Sequence, residues 1–184
     1  MSPGGHLTTT AVACAVTASA TGSLALTAAV AAGGFFIDID HAVDYVLFEK
    51  QRDLSPGAFL RHYVGGHVQR TVLVLHSYEL FAVLIGVALW THAPLVSAYL
   101  VGALMHLALD IIFNGRFTPY SIAAFYSFGY RLAHRFDART LLGRTPAPVM
   151  SEGFWTTFFR NGPPAPPKAE RTAPRVLAAP SQSP

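Results

Sequence analysis

His76 and Glu79 stand three residues apart, and His106 and Asp110 four apart, in the most apolar part of this chain. On helices, either spacing puts both side chains on one face. Ionisable groups inside a membrane are expensive and mark function by default. The 45 residues from Thr71 to Gly115 hold no Lys or Arg and only these two carboxylates. Two arrangements satisfy them. Protonated carboxyls can hydrogen-bond to neutral imidazoles, or a metal ion can keep the carboxylates ionised with the imidazoles as neutral ligands. Further donors lie upstream: His6 at the start of the first apolar stretch, then Asp38-Ile39-Asp40-His41, with Asp44 close behind. Eight N/O ligands (His6, Asp38, Asp40, His41, His76, Glu79, His106 and Asp110) suffice for two divalent ions, with three as the alternative. Imidazole with carboxylate suits Zn, with Mn or Fe as alternatives, and the single Cys14 argues against a thiolate site.

The elements that must carry these groups follow from hydropathy. A spanning helix needs about 20 mainly apolar residues, so residues 71–115 hold two, of roughly 71–91 and 95–113, broken at Thr91-His92-Ala93-Pro94. In an antiparallel hairpin the pairs His76/Asp110 and Glu79/His106 are both centred near position 93. All four side chains therefore lie at matching depth, roughly 20 Å from the turn at about 1.5 Å per residue. Leu7 to Ile37 is uncharged for 31 residues. It reads as a short helical hairpin turning at Thr21-Gly22-Ser23, with one long tilted helix or a signal peptide as alternatives. The aromatic run 117–130, interrupted by Pro119, reads as a fifth, partial span or an interfacial element. Phe154, Trp155, Phe158 and Phe159 read as a second interfacial patch.

Composition agrees with a membrane protein. Of the 184 residues 12% are charged, against about 25% in an ordinary soluble domain, and the mean hydropathy is +0.38. This excludes a disordered chain for the body of the protein, and one cysteine excludes a disulfide scaffold. The net charge of +3 does not indicate nucleic acid: no Lys or Arg precedes Lys50, and nine of the 13 lie at or beyond Arg116. The expected fold is all-α, a polytopic helical bundle of about four membrane segments (three to five). Residues 1–144 form the membrane-embedded domain with the metal site. Residues 145–184 carry the aromatic patch and a Pro-rich tail, with seven prolines among the last 24 residues. Both basic regions, 38–70 and the residues after 113, face the cytoplasm by the positive-inside rule, which puts the site near that face. His92 reads as a packing residue. His62, His67 and His134 read as surface groups, and the basic runs 50–70 and 131–144 as solvated or headgroup-facing.

At these residues the chain resembles the YdjM-type family of bacterial inner-membrane proteins, described as membrane-bound metal-dependent hydrolases. The matching pieces are His6 before an Ala-rich helix, Gly33-Gly34-Phe35-Phe36-Ile37-Asp38-Ile39-Asp40-His41, His76-Ser77, and His106-Leu107-Ala108-Leu109-Asp110. Ile37 stands where that family usually has Pro. The His-x3-Asp step is also similar, more distantly, to zinc-dependent phospholipase C and P1-type nucleases. The resemblance implies hydrolysis in the bacterial inner membrane, with phosphoesters of lipids as the expected substrates. On that expectation a metal-activated water is the nucleophile, Asp44 or Glu79 is the general base, and Arg70 holds the phosphate. The rival readings are a divalent-metal or proton transporter and a metal-stabilised scaffold.

Overall fold

In the computed structural model of the protein, residues 1–115, 120–143 and 153–160 are described. Every regular element among them is helical. The first apolar stretch folds as a hairpin of α1 (Pro3–Thr21) and α2 (Leu24–Gly34). Ser2 and Ser23 cap the two helices through their hydroxyls, and Pro3 occupies the first turn of α1. Gly22, left-handed at φ 62°, makes the turn. A single winding segment follows α2 after a bend of 48°. It runs from a 3-10 turn (Phe36–Asp38) through α3 (Ile39–Val43) into a π turn (Asp44–Phe48). Then come α4 (Pro56–Val64), α5 (Tyr78–Thr91) and α6 (Pro94–Asn114).

Helix α6 is long and apolar enough to cross a membrane, and only a third of its most apolar window is buried. A core helix of a soluble protein would hide most of that surface. The pair Leu24–Gly34 and Phe36–Leu47 passes the same test only if counted as one broken span, and α5 is apolar but short.

Helices α2 and α6 meet backbone to backbone. A Cβ on Gly33 would strike the Tyr99 carbonyl, and one on Gly102 would strike the Val30 carbonyl. Glycine is required at both positions because nothing larger lets the two backbones touch, the usual way helices associate where no hydrophobic effect drives them together. Just below this seam lies the core, with Ile37, Leu73, Phe81, Ala103, Leu107, Phe125 and Tyr126 all buried.

Two expectations need correction. The helix expected over 71–91 begins only at Tyr78. Residues 71–77 form a non-helical loop because their N–H groups are taken by carboxylates. Asp44 Oδ2 accepts from Val72 and Leu73 at 2.6 and 3.2 Å, and Asp40 Oδ2 accepts from Leu75 at 3.0 Å. Leu73 sits at φ 45° and Ser77 then caps α5. The aromatic run does not make a fifth span in its described part. It forms two short helices, α7 (Ile122–Phe125) and α8 (Phe128–Ala133), before α9 (Ala138–Leu142). Phe117 and Pro119 lie outside the described residues, as does the Pro-rich tail. Finally, α10 (Phe154–Phe159) packs against α1 and α4, with Trp155 and Phe159 exposed.

Candidate metal centre

The seam between α2 and α6 sets the first ligand. Close approach puts the Gly34 carbonyl 2.9 Å from His106 Nδ1. A carbonyl only accepts, so Nδ1 carries a proton, and in the neutral ring Nε2 then presents a lone pair. On the other side, Asp40 takes the Nδ1 of His76 at 3.0 and 3.1 Å, which again leaves Nε2 free. The two Nε2 atoms face each other at 3.1 Å. Asp38 Oδ1 completes the triangle, 3.4 Å from His76 Nε2 and 3.3 Å from His106 Nε2.

This triangle has the dimensions of a metal site. Ligand atoms about 2.0–2.1 Å from a tetrahedral zinc lie about 3.3 Å apart. Two imidazole lone pairs aimed at each other also repel unless a proton or a cation lies between them. Among the described residues, Asp38, His76 and His106 are one of three overlapping groups that could hold a metal ion, the others being His6, His106, Asp110 and Asp40, His41, His76.

The surrounding residues fix these ligands. His6, in the first turn of α1, stacks on His106 with centroids 3.7 Å apart, and its Nε2 lies 2.9 Å from Asp110 Oδ1. Asp110 is crowded with donors: the Met1 ammonium at 2.7 Å, Asn114 Nδ2 at 2.9 Å and the Tyr126 hydroxyl at 3.1 Å. His106 Nε2 lies 3.5 Å from its Oδ2. Carboxylates satisfied in this way hold their shape and orient the imidazoles beside them. His41 Nδ1 is buried without a partner, and its Nε2 lies 3.7 Å from Asp38 Oδ1.

Seven of the eight expected ligands are thus drawn together, and Glu79 is not. With Tyr78 opening α5, His76 precedes the helix, and the shared face expected for His76 and Glu79 does not exist. The Glu79 carboxylate instead accepts from Ser127 Oγ and from the N–H groups of Phe128 and Gly129, at 2.7–3.0 Å, and ties α5 to α8. Asp44, expected as a base, spends its Oδ2 on the 71–77 loop. Arg70, expected to hold phosphate, is exposed, and its backbone N–H donates to Glu49 Oε1.

Sequence reasoning missed Arg131, which lies in a run read as solvated. Its side chain is fully buried, and the guanidinium donates to the carbonyls of Phe125 (2.7 Å), Leu73 (2.8 Å) and His76 (3.1 Å). Asp40 and Asp44 accept from N–H groups of the same loop, so the His76 loop is clamped through both its carbonyls and its N–H groups. Tyr126 was missed as well. No local pattern marks either residue: Arg131 reaches the site from α8 and Tyr126 from the end of α7, both far along the chain. His62 lies apart from the three groups, 3.4 Å from Glu49, and burial lowers its pKa below the usual value while Glu49 opposes the shift.

Comparisons of the chain with family models, with curated proteins and with solved structures find no match.

Proposed function

We propose that the protein is a multi-pass bacterial inner-membrane hydrolase that uses one divalent metal ion, Zn foremost, to cleave phosphoesters of the lipid type at the cytoplasmic face. The observation that carries this reading is the Asp38–His76–His106 triangle, in which both Nδ1 atoms are already committed and the two Nε2 lone pairs converge on one carboxylate. The YdjM-type resemblance at the same residues supports hydrolysis. The cation-free hairpin and the exposed apolar surface of α6 support the membrane.

One ion fits better than two. His76 and His106 each belong to two of the three groups, and a neutral imidazole offers a single lone pair. The bound ion supplies Lewis acidity and brings the pKa of water towards neutrality. The chain does the rest. Asp40 and the Gly34 carbonyl hold the two rings in the right tautomer. His6 stacks on the face of the His106 ring, and Asp110 Oδ2 lies beside its Nε2. His41, partly exposed beside Asp38 and with an unpartnered Nδ1, takes the proton-transfer role first expected of Asp44 or Glu79.

The test is metal analysis and turnover on the detergent-purified full chain. Expected are one bound ion and hydrolysis of a generic phosphodiester, with His41→Gln keeping the ion and losing kcat. A preparation that never retains metal overturns the reading. Retained metal with no turnover of any phosphoester leaves the scaffold reading in its place.

A further inference from the structure

The segment from Phe36 to Phe48 has two faces. Ile37, Asp40, Asp44 and Tyr45 are buried, whereas Phe36, Ile39, Val43 and Leu47 point outward, 63%, 60%, 43% and 63% exposed. These outward positions recur at helical spacing, so they form one stripe rather than scattered apolar residues. The segment cannot roll to hide that stripe, because Asp40 and Asp44 are bonded to the 71–77 loop on its inner side. Lys50 and Arg52 follow directly and are exposed, the cation pattern that meets anionic headgroups. Members of the metal centre are buried except on this segment, where the side chains of Asp38 and His41 are 32% and 26% exposed. The one open edge of the site therefore runs beside the apolar stripe.

We infer that this segment lies in the membrane interface with Phe36, Ile39, Val43 and Leu47 in the acyl region, so that the site opens sideways to the bilayer and takes a phospholipid rather than a soluble phosphoester. The acyl chains lie along the stripe and the phosphate meets the Asp38–His41 edge, with Lys50 and Arg52 at headgroup level. The lipid substrate rests on the hydrolase reading above; the depth of the segment does not.

Two measurements separate the two claims. In the full chain with Cys14→Ala, reconstituted in phosphatidylcholine–phosphatidylglycerol vesicles, nitroxide labels are placed at Ile39→Cys, Leu47→Cys and Arg52→Cys. Expected is relaxation by oxygen over a water-soluble nickel chelate at 39 and 47, and the reverse at 52. Equal chelate access at all three positions overturns the inference. Second, Phe36→Ser combined with Leu47→Ser is expected to cut turnover of vesicle phospholipid roughly tenfold against a short-chain soluble phosphodiester, with bound metal unchanged. An equal effect on both substrates overturns sideways capture. Wild-type protein inactive on both substrates overturns the hydrolase reading and the lipid substrate, while the labels still decide the depth.

Discussion

His76 Nε2 and His106 Nε2 face each other at 3.1 Å, and neither ring can turn away without breaking a bond at its Nδ1, to Asp40 on one side and to Gly34 on the other. With Asp38 the pair could hold a metal ion, and on that reading the contributions of individual residues are separable.

His76→Ala or His106→Ala should abolish metal retention in purified protein. Asp40→Asn should keep the site but weaken it, by about 10–100-fold in affinity, the usual effect of losing the carboxylate behind a ligating imidazole. Competition with a chromogenic chelator measures both. An Asp40→Asn protein with unchanged affinity would remove Asp40 from the orienting role.

Arg131→Met should be severely destabilising. It removes the Arg131 donor from the buried carbonyls of Phe125 and His76, and leaves the Leu73 carbonyl with the His76 N–H alone; each unsatisfied group costs about 1–3 kcal/mol. Arg131→Lys should recover only part, since an ammonium cannot reproduce the planar fork. Thermal unfolding in detergent reads the stability. Metal affinity should fall in the Lys variant as well, because the His76 loop loses one side of its clamp.

Gly33→Ala and Gly102→Ala should each cost about 1–3 kcal/mol through overpacking against backbone that cannot retreat. Both should also weaken metal binding, since His106 Nδ1 depends on the Gly34 carbonyl. Gly86→Ala, where a new Cβ meets nothing within 4 Å, serves as the control. A loss of stability without a loss of affinity would sever the seam from the site.

Glu79→Gln should leave bound metal unchanged, against its expected role as a ligand. The change should loosen α8 from α5 by about 1 kcal/mol or less, because the bonds it weakens are solvent-exposed. Loss of metal in this variant would return Glu79 to the site.

The sequence made the apolar elements and most ligands legible because both leave local signals. Charge-free stretches mark the helices, and Asp38-Ile39-Asp40-His41 and His106-x3-Asp110 carry their spacing on the surface of the text. The N-terminal hairpin was readable from Gly22 for the same reason. The His76–Glu79 pair was misread because the apolar stretch starting at Thr71 looks helical, while the carboxylates that pull its N–H groups out of a helix sit about thirty residues earlier. The two-fold role of Asp40, on Leu75 N–H and on His76 Nδ1, has no signature in spacing. Arg131 was invisible for a related reason: a cation in a basic run is usually solvated, and only tertiary structure brings three carbonyls to it.

All seven clustered His and Asp side chains lie before residue 111, whereas the clamp on His76 arrives with Arg131, and Thr71 and Gln69 are pinned later still, by Phe136 and Ala138. A chain made only as far as α6 therefore already has the Asp40 bond to His76, and still lacks the Arg131 side of the clamp on the His76 loop. The loop that presents His76 is thus completed last in chain order, by Arg131, Phe136 and Ala138, after every side chain of the triangle has been made.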